Sequence, residues 1–239
     1  MLKKTLLILC FLPSFIRAQD ISDNWRLWPD RDAKWRRDRL YLPDEVDLNK
    51  MPVNPPTGGW EKLNEKCGLA VELPSTVEEH YWGNLSLQPY NYEYWFEPID
   101  KDVKNGSYKG VSWWWRKVDV PKFDKGERLI IQFQGARLRA EVYFNGKLCG
   151  YQLIAELPFE ADVTDAIKSE GDNLLAVRIT NPGGRFDWCD RFDLVGAKTF
   201  MWGDYQLPTS HGLGGLNAGI EMVVRPCCYI SDIFIMNQP

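Results

Sequence analysis

Short runs of alternating apolar and polar residues restrict the fold of this chain more than any other feature. Such runs lie at residues 128–134, 140–144 and 175–179, and others follow at 219–225 and 229–236. Successive side chains of a strand point to opposite faces, so each run places its apolar residues on one face. Many short strands separated by glycine and proline are typical of an antiparallel β-sandwich. The predicted fold class is therefore all-β.

Turn residues predict how these strands are connected. Asn145-Gly146 tolerates positive φ at both positions and predicts a tight hairpin. Asp162 and Thr164 can accept hydrogen bonds from backbone amides, so they predict the cap of a single helical turn at 164–168. Gly171-Asp172-Asn173 predicts the loop into the strand that follows.

Residues 19–59 have no sustained periodicity and are rich in tryptophan, charged residues and proline. Prolines that interrupt a helix or a central strand are spread along this segment: Pro29, Pro43, Pro52, Pro55 and Pro56. We expect an irregular N-terminal arm over 19–59 that wraps a folded body starting at Trp60. Its tryptophans, Trp25, Trp28 and Trp35, are expected to anchor the arm on that body.

The first residues have the features of an export signal. Lys3 and Lys4 precede an apolar run at 6–16, and Ala18 offers a small residue for cleavage. The apolar run is too short to cross a membrane as a helix. We therefore expect a signal peptide at 1–18, cleaved near Ala18, and a secreted or periplasmic chain without a membrane partner.

The charge of the chain excludes nucleic acid as a partner. The formal net charge is −4, and loss of Lys3, Lys4 and Arg17 with the leader makes the chain more acidic. Nucleic-acid binding requires a basic surface, because phosphates carry the dominant charge of the ligand.

Cysteine usage indicates neither a metal site nor a full set of disulfides. Five cysteines follow Ala18, an odd number without the paired spacing of a zinc site. No metal and no cofactor are expected. One disulfide can form in an oxidising compartment, and the sequence does not choose its partners. Adjacent Cys227 and Cys228 would point to opposite faces of a strand, so one of them is expected in the core.

Several segments, taken together in their order, resemble a known family. They are Gly110 to Pro121 (GVSWWWRKVDVP), Val142 to Lys147 (VYFNGK), Pro158 to Thr164 (PFEADVT), Gly171 to Asn173 (GDN) and Gly219 to Ile233. The resemblance is to the N-terminal sugar-binding domain of glycoside hydrolase family 2, which includes β-galactosidases, β-glucuronidases and β-mannosidases. It covers about Trp60 to Met236. It implies a galactose-binding-like jelly-roll β-sandwich for residues 60–239.

The resemblance also bears on catalysis. Family members hydrolyse glycosides with two glutamates on a (β/α)8 barrel, which follows the jelly roll and an immunoglobulin-like domain. The chain ends at Pro239, so we expect no catalytic residue here and no activity of the chain alone. Asn64-Glu65 repeats the Asn-Glu pair of the family's acid/base, but it precedes the jelly roll.

The loop NPGGRFDWCD, residues 181–190, contains the predicted carbohydrate-binding residues Arg185, Asp187, Trp188 and Asp190. In several family members the matching loop reaches the barrel's pocket, where an acidic residue contacts the sugar. Carboxylates accept hydrogen bonds from sugar hydroxyls, arginine can hold an acidic sugar, and tryptophan can stack on a pyranose ring. Alternatively, this is a glycine-turned surface loop whose acidic residues pair with its arginine.

Trp113, Trp114 and Trp115 form a run inside the first resembling segment. On a strand, Trp114 points to the opposite face from its two neighbours. Family members have an aromatic-aromatic-Arg sequence here that packs the sandwich, so the resemblance implies a core position. The alternative is that one of the three is exposed and binds sugar.

Three functions remain open. The first is a carbohydrate-binding N-terminal domain of a family 2 glycoside hydrolase that acts in glycan breakdown without catalysing it alone. The second is a subunit or fragment of a split β-glycosidase, which hydrolyses O-glycosidic bonds only with a separately encoded catalytic barrel as partner. The third is a structural remnant that binds no sugar.

Overall fold

The computed structural model describes residues 17–35, 37–81, 87–89, 96–98, 103–104, 107–108, 110–154, 157–181, 199–202, 205–208 and 213–229. The strands are β1 (Arg17–Asp20), β2 (Trp25–Asp30), β3 (Leu69–Val71), β4 (Ser75–Thr76), β5 (Leu87–Pro89), β6 (Phe96–Pro98), β7 (Val103–Lys104), β8 (Ser107–Tyr108), β9 (Gly110–Val118), β10 (Glu127–Phe133), β11 (Arg139–Phe144), β12 (Lys147–Gln152), β13 (Phe159–Asp162), β14 (Asn173–Asn181), β15 (Thr199–Trp202), β16 (Tyr205–Pro208), β17 (Gly215–Leu216) and β18 (Ile220–Pro226). The helix α1 covers Val77–Tyr81, and 3-10 turns cover Pro43–Glu45, Trp60–Lys62 and Thr164–Ala166.

Two larger antiparallel sheets form the body of the protein. One is four-stranded, in the order β1-β18-β10-β13, and the other is six-stranded, in the order β12-β11-β14-β9-β2-β3. Two-stranded ladders pair β15 with β16, β17 with β4, β5 with β6, and β7 with β8. The all-β sandwich predicted from the alternating runs is confirmed.

The core between the two sheets is built from the predicted apolar faces. Leu129, Ile131 and Phe133 of β10 are fully buried, as are the alternate residues of β11 and β14. Registers such as Ile131 opposite Ala161 keep these side chains on the inner face. The alternation in the sequence therefore located the core faces of β10, β11 and β14 correctly, because a strand buried on one face has a side-chain period of two. Most of the run predicted at 229–236 lies outside the described residues.

The predicted turns are also found. Asn145 and Gly146 have φ of 52° and 83°, as a tight hairpin turn requires. The Asn145 side chain donates to Ala166 O at 2.8 Å and accepts from the Leu174 amide at 2.9 Å, so it joins three segments of chain. The predicted helical turn at 164–168 is a 3-10 turn over Thr164–Ala166, and the predicted side-chain cap is absent, because its N-cap residue is Val163. Asp162 Oδ1 accepts from the Thr164 amide at 3.1 Å just before that turn.

The start of the predicted irregular arm differs from the prediction, because Trp25–Asp30 forms strand β2. This strand lies between β9 and β3 in the six-stranded sheet. Pro29 is compatible with that position because β3 pairs only with Trp25 to Leu27, so Pro29 lies beyond the last β3 partner. Trp25 is therefore a core residue of a strand rather than an anchor of an arm.

The chain that follows β2 crosses the outer face of the six-stranded sheet. Trp35, Leu40 and Met51 pack there against Trp113 and Tyr143 in a second apolar cluster. Apart from short 3-10 turns, the described residues of 31–63 have no regular secondary structure. The outer face of this sheet is thus covered by chain that is irregular but well packed.

A buried ionic network fastens the arm to that face. Glu141 is fully buried and accepts from Arg139 Nη2 at 2.9 Å and from Asn54 Nδ2 at 2.7 Å. Arg178 contacts the other carboxylate oxygen of Glu141. Asp38 of the arm pairs with Arg139 at 2.9 Å. Two arm residues, Asp38 and Asn54, therefore share polar partners with the sheet.

The core position implied for the Trp113–Trp115 run is confirmed, whereas the expectation that Cys227 or Cys228 lies in the core is wrong. All three residues of the Trp113–Trp115 run are buried, with Trp114 between the sheets and its neighbours under the arm, so none is exposed for sugar. Cys227 and Cys228 are both exposed, because β18 ends at Pro226 and neither lies on a strand. Among the described cysteines, Cys67, Cys149, Cys227 and Cys228 are unpaired.

Strand β1 spans the predicted cleavage point, with Ala18 opposite Val223 of β18. Cleavage after Ala18 remains a prediction, and it would leave Gln19 and Asp20 to pair with β18. Within the described part of the chain, no helix has the length and apolar character needed to cross a bilayer.

Candidate functional site

The four predicted sugar-contacting residues, Arg185, Asp187, Trp188 and Asp190, lie outside the described residues. The structure does describe the point from which their loop leaves the sheet. Asn181 is the last residue of β14, and it pairs with Gly110 at the start of β9. The loop therefore begins at one end of the six-stranded sheet.

Close backbone contacts surround this loop root. Asn181 is buried, and a Cβ atom on Gly214 would lie 2.7 Å from its Nδ2 atom, so only glycine fits at 214. Gly215 exchanges two backbone hydrogen bonds with Arg137, at 2.8 and 3.0 Å. It also pairs with Thr76 of β4. The root is thus enclosed by chain from three distant parts of the sequence.

Glu78 of α1 ties these segments together with a buried carboxylate. Its Oε1 accepts from the Tyr108 amide at 2.7 Å, and its Oε2 accepts from the Gly214 amide at 3.2 Å. Glu78 is only 2% exposed. Burial raises the pKa of Glu78 to about 7, although the two amides and the charge of Arg137 act in the opposite direction.

The sequence did not reveal Glu78 as a buried residue. It is followed by Glu79, and both look like solvated carboxylates on a short helix. Only the long-range contacts with Tyr108 and Gly214 distinguish them. A carboxylate next to an apolar helix start is too common a pattern to predict such burial.

Ser75, Glu79 and His80 form a second polar group beside Glu78, which has the residue types of a serine hydrolase triad. In a triad the imidazole accepts the serine proton, and the acid orients the imidazole. Here Ser75 Oγ donates to Glu79 Oε2 at 2.9 Å and lies 2.6 Å from His80 Nε2. With the Ser75 proton directed to Glu79, His80 Nε2 donates to Ser75 Oγ, which is the reverse of the triad arrangement. The group closes the start of α1, where Thr76 Oγ1 also accepts from the Glu79 amide.

Metal binding finds no support in the described part of the chain. No three side chains among its His, Cys, Asp and Glu residues are grouped as a metal ion requires. His211 lies outside the described residues.

Comparison with known proteins identifies related sequences and folds. A family model described as "Glycosyl hydrolases family 2, sugar binding domain" matches residues 30–202, and so begins inside the predicted arm. A β-glucuronidase of Formosa agariphila is 32% identical over 83 residues, which cover 35% of this chain and 8% of the relative. A "Beta-galactosidase large subunit" of Leuconostoc lactis is 41% identical over 64 residues, covering 27% of this chain and 10% of the relative.

Among solved structures, the β-glucuronidase of Lactobacillus rhamnosus superposes with a TM-score of 0.53 at 20% identity. The superposition covers 89% of this chain and 29% of that protein. At this identity the likeness concerns the fold alone. The chain therefore matches only a small part of the length of each of these relatives.

Proposed function

Because this chain belongs to the sugar-binding domain family of glycosyl hydrolases family 2, we propose that it binds carbohydrate and does not hydrolyse glycosides by itself. The family match over residues 30–202 is the observation that carries the first half of this proposal. Carbohydrate would be held by the loop that follows Asn181.

The fixed root of that loop supports the proposal. Binding residues on loops work best when a rigid scaffold holds the loop ends. Asn181 is buried against Gly214, and Glu78 fixes Gly214 through its amide. Asp187 and Asp190 would accept hydrogen bonds from sugar hydroxyls, Arg185 would donate them, and Trp188 would stack on a pyranose ring.

The second half of the proposal rests on the state of the described carboxylates. Retaining glycosidases need one carboxylic acid with a raised pKa near a second, ionised carboxylate. Glu78 has a raised pKa, but it is buried and both its oxygens are occupied by amides. The hydrogen bond from Arg225 lowers the pKa of Glu160. Burial raises the pKa of Asp162, but hydrogen bonds from Arg128 and Thr164 outweigh burial, so this pKa is lowered too. These three carboxyl groups therefore do not form an acid and nucleophile pair.

The alternative is a subunit of a split β-glycosidase that acts with a separately encoded barrel. The relative from Leuconostoc lactis carries the name of a large subunit, which favours this candidate over a non-binding remnant. The subunit and the remnant are distinguished by experiment. The subunit releases sugar when mixed with its barrel partner, whereas the remnant binds no glycan in any mixture.

The test is a glycan-array screen of the purified chain, with release of a chromophore from β-glycosides measured on the same sample. We expect binding without release. Trp188→Ala should weaken the binding that the array detects, and Trp188→Phe should preserve much of it because the ring remains. Hydrolysis that copurifies with the chain would overturn the proposal, and so would the absence of binding to every glycan.

Export is part of the same proposal, and it rests on the signal peptide that the sequence predicts at residues 1–18. The chain would act in the periplasm or outside the cell. N-terminal sequencing of the exported protein should begin at Gln19, and a chain that stays in the cytoplasm with Met1 intact would contradict export.

A further inference from the structure

A cavity of about 540 Å³ lies beside strands β10, β13 and β18 of the four-stranded sheet, and Leu48 of the arm and Cys149 of β12 also line it. Along β10, residues that line the cavity alternate with residues that point into the core. Arg128 and Ile130 line the cavity, whereas Leu129 and Ile131 are buried between the sheets. The opposite walls come from Glu160 and Asp162 of β13, together with Arg225 and the residues that follow β18.

A chain of contacts fixes the aromatic rim of this cavity. The Arg225 guanidinium carbon lies 4.0 Å from the centre of the Tyr229 ring. Arg225 is held by Glu160, with Nη1 to Oε1 at 2.9 Å and a second contact between Nη2 and Oε2. Gln132 donates to the same Glu160 Oε1 at 2.8 Å. The Tyr229 residue remains 47% exposed, so a partly accessible ring is supported from behind by side chains of the sheet.

The other side of the cavity is organised in the same way. Arg128 Nε pairs with Asp162 at 2.8 Å, and Arg128 Nη2 pairs with Asp165 at 3.0 Å. Each guanidinium in the lining is therefore matched by a carboxylate. Such a surface attracts neither a phosphate nor a cationic peptide strongly, because no uncompensated charge faces the cavity.

This combination fits a neutral, polyhydroxylated ligand. Guanidinium groups donate and carboxylates accept, so adjacent ion pairs can satisfy both roles of vicinal sugar hydroxyls. An exposed aromatic ring offers a flat apolar surface for the C–H face of a pyranose. Preorganised side chains also reduce the entropy that binding must overcome. Ile130, which also lines the cavity, is buried and apolar.

We propose that this cavity is a second carbohydrate-binding site, specific for neutral oligosaccharides. Tyr229 stacks on a sugar ring, while the Arg128–Asp162 and Arg225–Glu160 pairs bind its hydroxyls. This inference rests on the proposed function for the class of ligand, but its aromatic and charged residues lie on or beside β10, β13 and β18, whereas the predicted loop site follows β14. The chain then holds glycan at two places.

The experiment is isothermal titration of the full-length chain with short neutral oligosaccharides of glucose, galactose or mannose, and with glucuronate-containing oligosaccharides as the acidic comparison. Loss of ring stacking is worth roughly 1 kcal/mol or slightly more, so Tyr229→Ala should weaken neutral binding about five- to tenfold. Tyr229→Phe should bind like the wild type. Leu157→Ala, which removes another exposed apolar side chain outside the cavity, is the matched control.

The outcomes separate the two sites. If the affinity for neutral oligosaccharides falls in Tyr229→Ala but is retained in Trp188→Ala, the cavity is a carbohydrate site, even if the loop does not bind sugar. Binding that Trp188→Ala removes and Tyr229→Ala leaves unchanged overturns the cavity and supports the loop. A cavity that prefers the glucuronate ligands, or no binding in the wild type, also overturns this inference. Unchanged thermal melting of Tyr229→Ala checks that the exposed substitution leaves the fold intact.

Discussion

Replacing Glu141 by glutamine tests how the arm is held on the six-stranded sheet. Glu141 is fully buried and accepts from Arg139, Arg178 and Asn54. The substitution keeps the size of the side chain but removes its negative charge. Two buried guanidinium groups would then share Asp38, a partly exposed carboxylate, as their remaining acidic partner in this network.

The magnitude follows from the burial of the charges. Removing one partner of a buried ion pair leaves an uncompensated charge and typically costs about 3–5 kcal/mol of unfolding free energy. The carbonyl oxygen of glutamine can still accept hydrogen bonds, so we expect a loss of about 3 kcal/mol, the lower end of that range. That is a large share of the roughly 5–15 kcal/mol that stabilises a typical domain.

Urea unfolding followed by tryptophan fluorescence measures this loss, because Trp113 and Trp115 lie under the arm. The midpoint should fall while the slope stays the same, since the folded state buries the same surface. Glu65→Gln is the matched control. Glu65 pairs with Lys117 on the surface, with both side chains mostly exposed, and its substitution should not shift the midpoint. A loss below about 1 kcal/mol in Glu141→Gln would refute the reasoning that these charges are desolvated.

Three further predictions concern the loop root and the hairpin. The folded-state pKa of Glu78, about 7, lies above its ordinary value of 4.5, so its contribution to stability is complete below pH 4.5 and is lost as the pH rises to 7. Between pH 4.5 and 7 the unfolding free energy of the wild type should therefore fall by up to about 3 kcal/mol relative to that of Glu78→Gln. Parallel plots of unfolding free energy against pH for the two proteins, measured in urea, would contradict this. Gly214→Ala should lower the melting temperature, because its Cβ would meet Asn181, whereas Gly126→Ala, with no atom within 4 Å, should not; equal melting of the two variants would show that the root is loose. Asn145→Ala should cost about 1–3 kcal/mol in urea unfolding, because the left-handed turn and the bonds to neighbouring segments are both lost, and a neutral effect would contradict the role given to this side chain.

Local pattern sufficed for much of the fold. Alternation located the inner faces of β10, β11 and β14, because a strand with one buried face repeats every two residues. The Asn145-Gly146 turn was equally readable, since few residue pairs tolerate positive φ twice in succession. The resemblance to family 2 sugar-binding domains then implied the sandwich.

The features missed by sequence reasoning depend on distant contacts. Strand β2 was hidden by Pro29, which is tolerated because β3 is too short to reach it. Glu78 is distinguished from Glu79 by amides from Tyr108 and Gly214, which are remote in the sequence. The cavity likewise unites Arg128, Glu160 and Arg225 through strand register, and no local motif marks those positions.

The central claim is that this chain binds carbohydrate without hydrolysing it. The most direct measurement is calorimetric titration of the purified chain with the glycans that the array selects, while chromophore release from matching β-glycosides is followed in the same preparation. We predict saturable binding with no release above that of buffer. Release that increases in proportion to the chain and persists through further purification would contradict the claim, as would a chain that binds none of the glycans.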